Sequence, residues 1–246
     1  MSRSELRLVE SGEYEDSLSR ELALIREKIQ QIKINQKLGS DGSSDRGQVF
    51  ADSSFERVIN YTLKYGLDHA LELRDAITEW KNLIVGEPHL LDLGCGIGLS
   101  DMVLRCCGIE TSSYAGIDHN PEMLKLALQF NLGSTFTKEI RTVQRNRQDG
   151  FLIINHLFGQ QELSQKNLSE FAYYISRIFT QRVSILNIEP QMSIIEVNRT
   201  AFRELLKAVG FNEDLSDLRK TKTQFASPKN SWFGQYTLSE QKKSKF

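Results

Sequence analysis

Two segments near the start of the chain carry the apolar spacing of amphipathic helices. Apolar residues recur in residues 14–37 at alternating spacings of four and three: Leu18, Leu22, Ile25, Ile29 and Ile32. This heptad seam is short, so it predicts either a short coiled coil or a helix packed against the rest of the chain. Residues 54–80 show a second helical pattern, with Gly66 as the expected break between two helices.

From residue 89 onward, short apolar runs alternate with amphipathic segments. The predicted strands are 89–93, 114–118, 134–137, 151–155 and 183–188, and the predicted helices are 100–107, 121–130, 164–179 and 197–209. After Phe211 we expect one or two further strands, of which 231–238 has the stronger pattern. This alternation predicts an α/β fold whose mostly parallel sheet has helices on both faces. Functional residues are therefore expected beyond the carboxyl ends of the strands.

The first predicted strand enters a glycine-rich turn, Asp92-Leu93-Gly94-Cys95-Gly96-Ile97-Gly98. Its glycines allow a tight turn and close approach of a ligand, but their spacing departs from the G-x-G-x-x-G of dinucleotide-binding loops. Asp92 also disfavours a dinucleotide, because its carboxylate would repel a pyrophosphate and attract a cation. S-adenosylmethionine carries an ammonium and a sulfonium group and matches this charge. The alternative is an ordinary turn with a capping aspartate.

Asp118 ends the second predicted strand, in the segment Tyr114-Ala115-Gly116-Ile117-Asp118-His119-Asn120. A carboxylate at this position can accept hydrogen bonds from both ribose hydroxyls of an adenosine. An aspartate at a strand end can equally cap the next helix. Its occurrence together with the Asp92 turn favours the ribose-binding interpretation.

The segments 91–98 and 116–124 resemble the first two motifs of the class I S-adenosylmethionine-dependent methyltransferases. The resemblance covers about residues 55–240, with a looser match at 184–190. It implies a seven-stranded Rossmann-like sheet, with the amino-acid part of the cofactor on the glycine turn and the ribose on Asp118. The candidate cofactor-binding residues are Asp92, Gly94, Cys95, Gly96, Gly98, Asp118, His119, Met123, Glu139 and Asn155. Within this set, Glu139 is the implied partner of the adenine amino group, and Met123 is equally a packing residue.

Methyl transfer requires that an acceptor atom be aligned with the sulfonium and, for some acceptors, that a proton be removed. His156 directly follows the fourth predicted strand, and its near-neutral intrinsic pKa suits a general base. Glu189, at the end of the fifth, is a second candidate for proton transfer or substrate orientation. Each also has a structural interpretation, as a packed histidine and a capping acid. No metal site is predicted.

The leading hypothesis is a methyltransferase acting on a small or medium-sized acceptor of unknown identity, with residues 39–80 forming part of a lid. An RNA or DNA methyltransferase is the alternative, because residues 155–158 have the outline N-x-x-aromatic of a nucleic-acid methyltransferase turn, without its proline. Basic residues from Arg219 onward also interleave with aromatic ones that could stack on bases, whereas the interpretation we favour for this stretch is an edge strand followed by a solvated lysine tail. These aromatic residues are Phe225, Trp232, Phe233 and Tyr236. A third hypothesis is a non-catalytic module that forms a homodimer through the seam of the first helix.

Length and composition set the remaining limits. The chain of 246 residues suits one α/β domain with an appendage. We expect an N-terminal helix at 1–38, a flexible linker or lid at 39–53, the cofactor-binding domain at 54–240 and a basic tail at 241–246.

Charge and residue usage give no sign of a special environment. With 31 basic and 32 acidic residues, the net charge of −1 gives no global attraction for nucleic acid or for an anionic membrane. No apolar run approaches the roughly 20 residues of a membrane span, and the three cysteines form no disulfide framework. We therefore expect a soluble cytoplasmic protein.

Overall fold

The computed structural model describes residues 3–39, 53–130, 134–145, 149–155, 157, 164–190, 193–221 and 229–239. The α-helices in these ranges are α1 (Arg3–Asn35), α2 (Phe55–Tyr61), α3 (Leu67–Trp80), α4 (Ser100–Cys106), α5 (Pro121–Phe130), α6 (Gln165–Ile178) and α7 (Ser193–Ala208). The strands are β1 (His89–Leu93), β2 (Ser113–Ile117), β3 (Thr135–Thr137), β4 (Gly150–Asn155), β5 (Arg182–Pro190), β6 (Phe211–Thr221) and β7 (Lys229–Leu238). Of the predicted linker, only Gly39 and Ser53 lie in the described ranges, and the predicted basic tail lies outside them.

The strands form one sheet in the order β3-β2-β1-β4-β5-β7-β6. Strands β1 to β5 are parallel, whereas β7 runs antiparallel to both of its neighbours. The predicted α/β fold is confirmed, and both strands expected after Phe211 are present. The strand order reverses between β1 and β4, so the crevice between their carboxyl ends is where a ligand is expected.

The two faces of the sheet carry separate apolar cores, because helices cover both sides. Leu90 and Ile153 face the core built with α1 to α5, whereas Leu91 and Ile154 face the core built with α6 and α7. All five residues of β1 are buried. None of the helices in the described ranges combines the length and the apolar composition that crossing a bilayer requires.

The seam of α1 packs against the domain. Its residues Leu18, Leu22, Ile25 and Ile29 are buried in the same core as α2 to α5. Helix α1 contacts α2, the turn that follows α2, and α4. Of the two arrangements that the heptad pattern allowed, the packed helix is the one observed. The homodimer hypothesis loses its basis, because the apolar side chains on which it rested are already covered within the chain.

Gly66 does not break the helical segment before the sheet, contrary to the prediction. A π-helical turn, Thr62–Gly66, joins α2 to α3, and Gly66 keeps right-handed helical angles (φ −62°, ψ −34°). The hydroxyl of Thr62 donates to the carbonyl of Val58 at 2.8 Å, and a Cβ at residue 66 would lie 3.2 Å from Thr62 Cγ2. Glycine therefore fits a crowded turn here without ending the helix.

Truncation of the α1 seam should destabilise the protein. Ile29 is 0% exposed, so Ile29→Ala should lower the free energy of unfolding by about 2–5 kcal/mol through lost burial and a cavity. Ile34, on the same helix, is 67% exposed, and Ile34→Ala should change the free energy of unfolding by less than about 0.5 kcal/mol. Urea denaturation of both variants measures the difference. Equal losses would contradict the packed arrangement.

Candidate cofactor-binding site

The turn after β1 is held against the end of β2 by its backbone. The N–H groups of Gly94 and Cys95 both donate to the carbonyl of Ile117, at 2.8 and 3.0 Å. The φ angles of Gly94 and Gly96 are +76° and +55°, in the left-handed region that favours glycine. A Cβ at Gly96 would meet nothing within 4 Å, so this part of the backbone borders open space. The turn thus offers its backbone to a ligand at the reversal point of the sheet.

Asp92 lies beneath this turn with only 1% of its surface exposed. Its Oδ2 accepts hydrogen bonds from the Ser100 hydroxyl at 2.6 Å and from the Tyr114 hydroxyl at 3.0 Å. Its Oδ1 is buried and has no hydrogen-bond partner among the described residues. The pKa of Asp92 is raised from 3.8 to about 6, mainly by burial and to a smaller extent by the charge of Asp118, against the lowering effect of the two hydroxyls.

Asp118 directly follows β2 and fixes the opposite side of the turn. Its Oδ2 accepts from the N–H of Gly96 and its Oδ1 from the N–H of Asn120, both at 2.9 Å. Burial raises the pKa of this carboxyl group as well, while the two backbone hydrogen bonds and His119 lower it. The structure therefore brings the two predicted acidic residues together around one glycine turn.

Asn120 connects this site to the chain that precedes α2. Its side-chain oxygen accepts from the N–H groups of Glu122 and Met123, at 2.8 and 3.0 Å, and so caps α5. Its amide nitrogen donates to the carbonyl of Ser53 at 3.3 Å. The start of the helical segment 55–80 is thereby fixed beside Asp118.

Asn155 ends β4 next to the glycine turn. A Cβ at Gly94 would lie 3.7 Å from its carbonyl oxygen. The alternation of β4 places its side chain on the face of Ile153, which pairs in register with Asp92. Its Oδ1 is buried and has no hydrogen-bond partner in the ranges that the structure describes. The site thus contains a second acceptor atom whose partner does not come from the described protein.

The other candidate cofactor residues differ in their surroundings. Cys95 is buried, and burial followed by the charges of the two aspartates raises the pKa of its thiol well above the ordinary value. His119 is 41% exposed, with Nδ1 3.9 Å from Asp118 Oδ1. Met123 is 5% exposed and packs in the core.

Glu139 is half exposed and forms an ion pair with Arg141. Gly98 closes the turn, donating to the Cys95 carbonyl at 2.8 Å.

Glu189 lies on the other face of the sheet from Asp92, so the structure does not bring this predicted catalytic residue into the site. It is 1% exposed, and its Oε1 accepts from the amide of Asn187 at 3.2 Å. Arg199 of α7 donates to the side-chain oxygen of Asn187 through Nε and Nη2, at 3.4 and 3.3 Å. This buried polar cluster joins β5 to α7, which accounts for Glu189 without catalysis. His156 lies outside the described residues.

The described aromatic residues near the C-terminus do not form a surface for bases. Trp232, Phe233 and Tyr236 are at most 2% exposed because β7 is an inner strand of the sheet. These three rings therefore do not provide the stacking that the nucleic-acid alternative requires, while Phe225 lies outside the described residues. Arg219 packs on the ring of Trp80, 3.8 Å from its centroid, and contacts Asp217 at 3.1 Å.

The seven-stranded, mostly parallel sheet with helices on both faces is the Rossmann-like fold that the resemblance to class I methyltransferases implied. No protein-family model and no curated protein matches the chain.

Solved methyltransferase structures are similar to the chain at low sequence identity. Magnesium protoporphyrin IX methyltransferase from Synechocystis, with S-adenosylmethionine bound, is 16% identical at a TM-score of 0.47, and the match covers 89% of this chain and 97% of that one. An S-adenosylmethionine-dependent methyltransferase from Methanosarcina mazei is 15% identical at 0.47, covering 64% and 95%. A proposed RNA methyltransferase from Pyrococcus horikoshii is 16% identical at 0.47, covering 70% and 84%. At these values, the substrates of those proteins say nothing about the acceptor of this chain.

Proposed function

We propose that the chain binds S-adenosylmethionine at the turn between Asp92 and Asp118 and transfers its methyl group to a small or medium-sized acceptor. The observation that carries this proposal is the buried carboxylate of Asp92. Two hydroxyls hold one of its oxygens, and the other has no partner among the described residues. A buried carboxylate in this state is completed by a cation that also donates hydrogen bonds. The α-ammonium group of the cofactor is such a cation.

Asp118 suits the ribose of the same ligand. Each of its oxygens accepts one backbone hydrogen bond, and a carboxylate oxygen can accept a second. Two neighbouring hydroxyls could therefore bind without releasing Gly96 from the turn. Asp92 thus offers a site for positive charge on one side of the turn, and Asp118 offers a site for hydroxyl groups on the other. S-adenosylmethionine likewise carries its ammonium group at one end and its ribose hydroxyls beyond the sulfonium.

The bound cofactor would supply an activated methyl group, and the residues of the chain would position what reacts with it. At the end of β4, the Asn155 Oδ1 atom could accept a hydrogen bond from an N–H or O–H group of the substrate and so orient it. The general-base role of His156 stays a prediction from its place after β4. Glu189 has no part in this proposal, because it faces α7.

Calorimetric titration with S-adenosylhomocysteine, the product form of the cofactor, tests the binding step. Transfer is tested by incubating the protein with methyl-labelled cofactor and either a metabolite extract or total RNA. We expect binding, and label in the metabolite fraction. Label in RNA that declines steeply with salt would instead support the nucleic-acid alternative. Binding without transfer would favour the non-catalytic module, and absence of binding to folded protein would contradict the proposal.

Cofactor affinity should depend on pH through Asp92. Its pKa of about 6 means that the group is ionised above about pH 7 and mostly protonated at pH 5. A ligand ammonium needs the ionised form, so the dissociation constant of S-adenosylhomocysteine should be constant above about pH 7 and rise toward tenfold per pH unit below about 6. Calorimetry between pH 5 and 8 measures this profile.

Asp92→Asn provides the control for this profile, because Asp118 also has a raised pKa and would contribute in the same direction. The part of the slope that comes from Asp92 should be absent in Asp92→Asn, and any slope that remains reports on Asp118. A flat profile in the unmodified protein would rule out Asp92 as the partner of the ammonium group.

A further inference from the structure

Three half-buried rings form an aromatic stripe on the helical segment beside the candidate site. The stripe consists of Tyr61, Tyr65 and His69, which are spaced four residues apart. The ring centroids of Tyr61 and Tyr65 are 5.6 Å apart at an interplanar angle of 51°. Those of Tyr61 and His69 are 6.2 Å apart, with the rings edge to face. These distances are typical of favourable aromatic pairs, and part of each side chain remains accessible.

The stripe begins close to Asp118. The Asn120 amide holds the Ser53 carbonyl at 3.3 Å, and α2 starts two residues later and contacts α5. Burial raises the pKa of Tyr61 to about 12, and the charge of Asp118 is the largest electrostatic contribution to this rise. The Tyr61 hydroxyl therefore stays protonated near the carboxylate that we assign to the ribose.

The spacing of the rings depends on the π-helical turn, which begins directly after Tyr61 and contains Tyr65. Such turns are rare and occur frequently at functional sites, because the widened backbone redirects the side chains that follow it. Here the turn is supported from the core, where Thr62 is 1% exposed and bonds to Val58. The turn is thus a supported feature of the fold that sets how the stripe is presented.

The surroundings of the stripe favour positive over negative charge. Glu72 is 4% exposed and, like Asp118, acts electrostatically on Tyr61. The ammonium group of Lys64 lies 4.9 Å from the ring centroid of Tyr65, so this ring face accepts a cation, and a cationic ligand would take the place of the exposed Lys64 side chain. An anionic ring would meet two carboxylates, whereas a neutral or cationic ring would stack without this repulsion.

We propose that the aromatic stripe is the wall of the acceptor site and binds a planar aromatic acceptor that is neutral or positively charged. This assignment of a substrate class rests on the proposed methyltransferase function. The contacts made by the stripe are stacking contacts, so they select for a flat ring and leave the nature of the methylated atom to the groups at the β4 edge.

The test uses three small probes of one shape: 1-methylquinolinium, quinoline and quinoline-2-carboxylate. Binding of each is measured by ligand-observed NMR to the full chain, with and without saturating S-adenosylhomocysteine. We expect the cation and the neutral ring to bind more tightly than the anion. Tyr65→Leu, which removes a ring and keeps an apolar side chain, should weaken binding of the cation by about threefold to tenfold. The affinity for S-adenosylhomocysteine should not change.

Tyr173→Leu is the matched control. Tyr173 is 44% exposed, pairs with Tyr174 at 5.1 Å between centroids and lies under Arg177, but belongs to α6 on the other face of the sheet. This variant should leave probe binding unchanged. Equal effects of the two variants, or tighter binding of the anion, would overturn the proposal. If the unmodified protein did not bind S-adenosylhomocysteine, the proposed cofactor site would be wrong. The probes would still test the stripe, because their binding is also measured without S-adenosylhomocysteine.

Discussion

Asp92→Asn is expected to make the protein more stable while removing most of its affinity for S-adenosylhomocysteine. The amide oxygen can accept from Ser100 and Tyr114 as the carboxylate does, so the packing is kept. The substitution removes a charge whose burial raises the pKa from 3.8 to about 6, which corresponds to about 3 kcal/mol at pH 7. Thermal unfolding at pH 7.5 should show an increase of several degrees.

The sign of this effect follows from proton linkage. The folded state binds the Asp92 proton more tightly than the unfolded state, so ionisation destabilises the fold as pH rises from about 4 to about 6. The stability difference between Asp92→Asn and the unmodified protein should therefore be largest above pH 7 and should narrow toward pH 5. An unchanged difference across this range would contradict the raised pKa.

The loss of ligand affinity has a separate cause. The amide N–H₂ group of asparagine would occupy the position that faces the ligand ammonium, where it donates instead of accepting. Removing one partner of a buried ion pair costs about 3–5 kcal/mol, so the dissociation constant should rise by roughly two to four orders of magnitude. Asp101→Asn is the control, since the Asp101 carboxylate pairs with Arg105 at 3.3 Å and accepts a hydrogen bond from Thr111, and so has its partners outside the turn. It should leave the affinity unchanged.

The strongest local patterns predicted the fold well. Helix α5 begins and ends as predicted, because Pro121 suits a first helical turn and the apolar spacing is regular. Strand β1 also has the predicted bounds, as a run of buried residues. Strand β6 was expected only as one of two possible strands. As an edge strand it carries charged residues such as Glu213 and Asp217, which protect edges from pairing and hide the strand pattern.

The site was predictable where charge and backbone freedom act locally, as in the glycine turn and its two aspartates. The partners of Asp92 were missed, because Tyr114 reaches it through the pairing of Asp92 with Gly116 on the neighbouring strand. The position of Glu189 was misjudged for a related reason. In a parallel sheet covered on both sides, apolar residues occupy both faces, so the sequence pattern does not reveal which face a polar residue takes.

Asp118→Ala is expected to weaken S-adenosylhomocysteine binding by about two to four orders of magnitude. Each hydrogen bond from a ribose hydroxyl to this carboxylate would contribute about 1.5–3 kcal/mol, and two would be lost. The same variant also loses the hydrogen bond that Asp118 accepts from Gly96, which could loosen the turn. Calorimetry measures the total loss, and a ligand that lacks one hydroxyl separates the two causes.

Adenosine and 2′-deoxyadenosine provide this separation when their binding is compared by competition. The unmodified protein should prefer adenosine by about tenfold to a hundredfold, which corresponds to one hydrogen bond to a charged group, whereas Asp118→Ala should bind the two nucleosides alike. A preference that survives in Asp118→Ala would mean that the carboxylate acts only by holding the turn. Asp92→Asn should keep the affinity for adenosine, which has no ammonium group. If Asp118→Ala weakens the binding of both adenosine and S-adenosylhomocysteine, Asp118 binds the hydroxyl groups. If Asp92→Asn weakens the binding of S-adenosylhomocysteine alone, Asp92 binds the positive charge.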